Sequence, residues 1–203
     1  QGFPELVNIT DKEIIIKYIK ESIVEKVLYR DIPTLFNIRE LSTVEALLNI
    51  IMEEPGQIFD FDNLAKELHV TRQTIALYLS YLEKSFLIKK IYNFSGNRRK
   101  TERKLKKYYP SIVSLDLLFK EDDLSKSKIF EWLIVTQMQG EFFWRDSYQH
   151  EVDLVIPGKP PLPIEVKYGQ IETKGIETFM QKFKCKKGYI ISAKKEEQIS
   201  KEE

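Results

Sequence analysis

Two apolar runs rich in β-branched residues, HEVDLVI (His150–Ile156) and PIEVKYG (Pro163–Gly169), each carry ionisable side chains inside a pattern suited to a central strand. Asp153 lies in the first run. Glu165 follows twelve positions later, and Lys167 two residues after that. Strand side chains alternate between faces, so Glu165 and Lys167 share one. If the two strands are neighbours, that pair lies beside Asp153. Two carboxylates side by side repel and raise each other's pKa, and a divalent cation relieves the repulsion. A donor set of oxygens without thiolates suits Mg²⁺ or Mn²⁺. Such an ion activates water and stabilises charge on a scissile phosphate. Asp153 and Glu165 would hold it, and Lys167 would orient the water or the phosphate oxygens. The plainer reading is a Glu–Lys strand pair with an unrelated Asp.

Composition narrows the setting. The chain has 203 residues, of which 42% are apolar, enough for a sizeable core and too many for wholesale disorder. Lys and Arg number 32 against 31 Asp and Glu, which excludes a uniformly basic DNA-coating protein but leaves room for a local basic patch. The single cysteine, Cys185, excludes a disulfide framework and a thiolate zinc cluster. No run of about 18 apolar residues occurs, so no membrane partner is expected. The opening QGFPELVNIT lacks the basic flank and apolar stretch of a signal peptide, and a cytoplasmic location is expected. A start at Gln rather than Met suggests a fragment or a processed product.

Along the chain, apolar spacing predicts a helix over residues 11–30, closed by Asp31–Pro33. Three helices and a hairpin follow. Ser42 or Thr43 caps the first, which runs to about Glu54. Asp60 or Asp62 caps FDNLAKELHV, and Thr71 caps TRQTIALYLSYLEKS. FLIKKIYNF and LKKYYPS read as strands flanking the polar loop SGNRRKTERK. This order resembles a winged helix-turn-helix domain. Arg72 and Gln73, at the start of the third helix, would read base edges in a major groove. Tyr78 and Tyr81 argue instead for packing. Seven of the eleven residues Asn97–Lys107 are basic and one is acidic. Arg98, Arg99, Lys100, Arg103 and Lys104 would contact phosphates, the alternative being a solvated wing. From residue 126 onward the order is αβββαβ, ending in a charged tail, KKEEQISKEE, expected to fray.

The D-x11-E-x-K spacing, with this segment order, resembles the PD-(D/E)xK nuclease superfamily, although Val152 stands where the motif has Pro. The resemblance implies a restriction-endonuclease-like fold, Mg²⁺ or Mn²⁺ as cofactor, and an auxiliary acidic role for Glu131 on the preceding helix. A wider resemblance, carried by F-x-W-R, EVDLVI and PIEVKYG behind a winged helix, is to the C-terminal part of archaeal and bacterial AAA+-type ATPases. The chain contains no G-x-x-x-x-G-K-[ST], so ATP would bind only on a segment absent here.

The expected fold is therefore α+β or α/β, in three parts. Residues 1–33 form a helical linker, 34–112 a winged helix-turn-helix and 113–203 a nuclease-like domain. The expected function is nucleic-acid binding, DNA foremost, with Mg²⁺-dependent phosphodiester hydrolysis at Asp153, Glu165, Lys167 and Glu131. The alternative is an inactive nuclease fold that binds DNA or protein and regulates the ATPase. The expected partners are nucleic acid and the chain's own ATPase domain, with homo-oligomerisation left open.

Overall fold

The structure is a computed structural model that describes residues 3–38, 40–96, 105–112, 115–193 and 196–200. It is a mixed α+β protein. Its residues form two compact units, one of residues 1–50 with 60–88, the other of 51–59 with 89–203.

The first unit is helical. Asp11 caps α1 (Lys12–Ile19), its carboxylate accepting from the Glu13 and Ile14 amides. The helical path continues through π-type turns at Lys20–Val24 and Val27–Asp31 into the short α2 (Ile32–Leu35). Asp31–Pro33 therefore does not close the helix. Pro33 lies near the start of α2, with Asp31 and Ile32 before it in helical conformation. Helix α3 (Leu41–Glu53) starts ahead of Ser42 and Thr43, so neither hydroxyl is at its cap. Asp60 caps α4 (Phe61–Glu67) and Thr71 caps α5 (Arg72–Lys84), as expected. His69, at φ 54°, turns the chain between them, and the Val70 amide donates to the Ala65 carbonyl. The buried stripe of α5 is Ile75, Tyr78, Leu79 and Leu82. Tyr78 is thus a core residue, and Tyr81 stacks on Phe36 with centroids 4.2 Å apart. Both tyrosines are used inside this unit.

The second unit is built on two sheets. The first has the order β1-β3-β2-β4-β5, formed by Gln57–Ile58 (β1), Ile88–Asn93 (β2), Lys106–Pro110 (β3), Phe142–Arg145 (β4) and Glu151–Val152 (β5). β1 and β3 are antiparallel, β2 and β4 parallel, β4 and β5 antiparallel. The hairpin strands beyond Ile88 are thus integral to this sheet, and the expected boundary at residue 112 lies inside the unit. Asn93 pins the parallel join. It is buried, its Nδ2 donates to the Arg145 carbonyl at 2.9 Å, and its Oδ1 accepts from the Arg145 amide. The second sheet has the order β6-β7-β8-β9, formed by Leu154–Ile156 (β6), Leu162–Lys167 (β7), Lys187–Ser192 (β8) and Glu196–Ser200 (β9). The tail expected to fray supplies β9, antiparallel to β8, because an edge strand needs only backbone pairing.

Residues Leu115–Leu118 form the short α6, Asp123–Gln137 form α7, and Lys174–Phe183 form α8. Alternation along β4 sorts its side chains between two cores. Phe143 clusters with Tyr109, Trp132 and Val135, on the α7 side. Trp144 clusters with Val152, Ile176, Phe179 and Met180, on the α8 side. Each such aromatic or aliphatic side chain contributes roughly 1.5–3 kcal/mol on burial. Trp132 also donates its indole N–H to the Pro110 carbonyl at 2.6 Å, tying α7 to β3.

Two glycines are required by close approach. Gly56, at φ 81°, lies on the Tyr109 ring, 2.9 Å from where a Cβ would be. Gly175, in the first turn of α8, lies against the Glu151 carbonyl. Replacing Gly175 with Ala should lower the unfolding free energy by about 1–3 kcal/mol through overpacking, measurable by urea denaturation; an unchanged midpoint would contradict this packing.

Candidate active site

The site lies wholly in the second unit. The strand that begins as β5 leaves the first sheet after Val152 and joins the second as β6 at Leu154. Asp153 is the bend between them. In the second sheet Leu154 faces Ile164 and Val155 faces Pro163, so one further step places Asp153 opposite Glu165. The Asp153 Oδ2 accepts from the Val166 amide at 2.8 Å, fixing that carboxylate across the junction. Lys167 Nζ lies 2.7 Å from Glu165 Oε1, so the two share a face. The structure thus brings Asp153, Glu165 and Lys167 together.

Glu131 approaches from α7, but not freely. Its Oε1 accepts from Lys107 Nζ at 3.0 Å and from the Tyr109 hydroxyl at 2.7 Å. Lys107 also lies 2.6 Å from Glu151 Oε1 and 3.7 Å from Asp153 Oδ1. Arg145, opposite Glu151 on β4, reaches the other Glu151 oxygen at 3.4 Å. Lys107 and Glu151 are therefore members of this cluster that the sequence reading left out. A signal existed for the first. Period-two alternation along LKKYYPS puts Lys107 on the face of Tyr109, away from Lys106.

The electrostatics follow from burial. Asp153 and Glu165 are 9% and 6% exposed. Burial pushes the Asp153 carboxyl well above its ordinary value. Glu131 and Glu165 add to the rise, while Lys107 and the Val166 amide oppose it. Burial likewise raises Glu165, against the pull of Lys167. For Lys107 burial works against the charge, but Glu131 and the other groups around it outweigh that and hold the ammonium well above its usual value. The same holds, more weakly, for Lys167 beside Glu165. Burial and then Glu131 keep the Tyr109 phenol protonated well above its usual range. Glu165 Oε2 is buried with no hydrogen-bond partner.

Among the described residues no group of three or more His, Cys, Asp or Glu side chains is arranged to hold a metal ion. What is present is two facing carboxylates, one with an orphaned oxygen. That set fits Mg²⁺, which keeps several waters and takes one or two carboxylates.

The residues expected to touch nucleic acid are placed in part. Arg72 Nη1 is paired with Asp62 Oδ2 at 2.8 Å on the exposed start of α5, beside exposed Gln73. Arg98, Arg99, Lys100, Arg103 and Lys104 lie outside the described residues. No helix among the described residues is long and apolar enough to cross a membrane.

Comparison with known families gives a membership. Residues 2–115, more than half of the chain, match the family model described as Domain of unknown function (DUF8612). The chain belongs to that family. Residues 128–203 match a second model, Domain of unknown function (DUF4143). Glu131, Glu151, Asp153, Glu165 and Lys167 fall in the second match and Lys107 in the first. Two similar proteins come from Methanocaldococcus jannaschii. Uncharacterized protein MJ1544 is 29% identical over 184 residues, which is 85% of this chain and 41% of that protein. Uncharacterized protein MJ1637 is 23% identical over 185 residues, covering 84% and 39%. The chain thus spans about two fifths of the length of these relatives. No solved structure gives a significant match.

The Asp153 titration sets a pH dependence. Its folded pKa lies above the unfolded value near 3.8, so its stabilising contribution is full below that value and lost as pH rises through the folded one. Asp153→Asn cannot ionise and keeps an acceptor for the Val166 amide. In chelator at pH 8 it should melt above wild type, by roughly 2–4 °C per kcal/mol relieved. The gap should narrow toward pH 4. A variant that melts lower at pH 8 would contradict the raised value.

Proposed function

We propose that the second unit is a restriction-endonuclease-like domain carrying a divalent-cation-dependent phosphodiesterase centre, and that the helices before it form a nucleic-acid-binding winged helix. The observation that carries this is Glu165 Oε2, buried without a partner beside Asp153. A buried, unsatisfied carboxylate oxygen costs stability, and such costs are retained where chemistry needs them. The order α7, β4, β5–β6, β7, α8, β8 supports the same reading, since it repeats the αβββαβ order expected from the sequence.

In this reading Asp153 and Glu165 hold Mg²⁺ or Mn²⁺. The ion supplies charge stabilisation at a phosphate and acidifies water. Lys167, half-buried on the face of Glu165, orients the attacking water or a phosphate oxygen. Glu131, fixed by Lys107 and Tyr109, supports Asp153 from the α7 side. Arg98, Arg99, Lys100, Arg103 and Lys104 would contact substrate phosphates; in the helical unit, Arg72 and Gln73 at the start of α5 would read base edges. DNA is the proposed substrate. The relatives are more than twice as long as the stretch they share with this chain. That leaves room for a further segment, which in this reading is an AAA+-type ATPase domain preceding the module and binding ATP.

A second reading has its own observation. Lys107 already pairs with Glu131, Glu151 and Asp153, which favours a metal-free fold retained as a DNA- or protein-binding module that regulates the ATPase.

Nicking of supercoiled and branched DNA with Mg²⁺ or Mn²⁺ separates the two. On the first reading wild type nicks, and Asp153→Asn or Glu165→Gln loses about 100-fold or more in rate, the equivalent of several kcal/mol of charge stabilisation. Equal nicking by wild type and Asp153→Asn removes the site assignment. DNA retention in a gel shift without nicking favours the second reading. In that assay each residue among Arg98, Arg99, Lys100, Arg103 and Lys104 that contacts a phosphate should, when changed to Ala, reduce the slope of log K against log salt by about one.

A further inference from the structure

The end of the second sheet away from Lys167 carries a charged surface that the candidate active site does not use. Thr178–Ala193 holds four lysines, Lys182, Lys184, Lys186 and Lys187, and no Asp or Glu. All four are exposed, at the end of α8, in the turn after it and at the start of β8. The turn between β6 and β7 adds exposed Lys159. That turn is tied to the same corner by buried Cys185, whose thiol donates to the Pro161 carbonyl at 3.0 Å. Parallel pairing of Ile164 with Tyr189 puts the first residues of β7 and β8 level, whereas Lys167 lies at the other end of β7. At about 3.3 Å per residue, the run from Leu162 to Lys167 separates the two ends by about 16 Å.

The whole chain is near neutral, with 32 basic and 31 acidic side chains, so this acid-free stretch is a local excess. Across from Lys187 and Gly188 on β9 stand Ser200 and Ile199, neither of them charged. Lys107, Lys128 and Lys167 have carboxylate partners. Lys159, Lys184 and Lys187 make no ion pair among the described residues. The α8 dipole accounts for a cation in its last turn, Lys182, but not for Lys159, Lys186 and Lys187, which lie outside the helix. Lys184 ends α8 in the left-handed conformation, at φ 55°, where only Gly is unstrained. Lys182 Nζ lies 5.2 Å from the centroid of the Trp144 ring, which holds that ammonium at the corner.

We propose that this corner, Lys159 with Lys182, Lys184, Lys186 and Lys187, is a second DNA-binding surface, one that holds the phosphate backbone of a duplex without reading its bases. Its chemistry favours DNA over an acidic protein. Lysine is a compact point charge and lacks the planar fork that pairs bidentately with carboxylates or base edges. Protein interfaces are depleted in lysine and centre on aromatic anchors, while Trp144 beneath Lys182 is fully buried. The inference rests on the charge of this corner and not on cleavage at Asp153 and Glu165. A duplex held here lies away from Lys167, as a flank or a second arm of the DNA.

The test is binding of the whole chain to duplex DNA of random sequence, followed by fluorescence anisotropy over a series of salt concentrations. Two variants lose the same charge. One is Lys182→Gln/Lys184→Gln/Lys187→Gln; the control, at exposed lysines of the first unit, is Lys17→Gln/Lys20→Gln/Lys26→Gln. The corner variant should reduce the slope of log K against log salt by about two or more, and weaken binding about 10-fold or more at low salt whatever the sequence. The control and the corner variant Lys182→Arg/Lys184→Arg/Lys187→Arg should keep the wild-type slope. An unchanged slope in the corner Gln variant, an equal loss in the control, or an equal loss in the Arg variant would each overturn the proposal. So would loss of binding to polyglutamate with DNA binding intact, which assigns the corner to an acidic protein instead. Nicking is read separately. A chain that never nicks yet shows the slope change loses the phosphodiesterase reading and keeps this surface, and nicking with an unchanged slope does the reverse.

Discussion

A lysine ammonium buried among carboxylates organises the second unit. Removing a charge from water costs several kcal/mol unless its partners are well placed. Lys107 meets that condition by contacts with Glu131, Glu151 and Asp153, and Tyr109 adds its hydroxyl to the shared Glu131 oxygen. Those partners lie on α7, on β5 and at the bend beyond it. The position of β3 relative to all three is therefore set by charge as well as by hydrophobic packing. Trp132 and Gly56 reinforce the same strand, one by a hydrogen bond to Pro110 and the other by close approach to Tyr109.

Around that centre, the sheet is buried on both faces. β4 sends Phe143 to the α7 cluster and Trp144 to the α8 cluster, so it can tolerate few polar side chains. Asn93 is paired with the Arg145 backbone and Glu151 with both Lys107 and Arg145, whereas Gln57 Oε1 and Trp144 Nε1 of the same sheet are buried without a partner. Of these unpartnered atoms the Glu165 oxygen alone belongs to a carboxylate among the described residues, and an ionisable group left unsatisfied in a dry interior is the costliest kind.

Local signals carried much of the helical reading. Asp60 and Thr71 cap their helices as their short oxygen-bearing side chains suggest, whereas Asp122 caps α7 ahead of the start expected at residue 126. The alternation of Glu165 and Lys167 was legible because a strand period of two is strict. Long-range pairing was not. Lys107 ends a stretch so rich in lysine and arginine that it reads as solvated; alternation puts it on the Tyr109 face, but the carboxylates that hold it come from α7, β5 and the bend, far away in sequence. Tyr78 lies at helical spacing from Ile75 and Leu82 and so shares their inward face, whereas the stacking of Tyr81 on Phe36 is a contact across 45 residues that no local pattern carries. The tail pairs with β8 through backbone groups, to which composition is blind.

The transfer of one strand between two sheets gives Asp153 a double duty. At the crossover its carboxylate stands in for a ladder contact by accepting the Val166 amide proton. A carboxamide can retain that tether and a methyl group cannot. Any comparison of amide and alanine replacements at this position therefore measures architecture and chemistry as separate quantities, and a loss seen only with alanine belongs to the seam between the sheets.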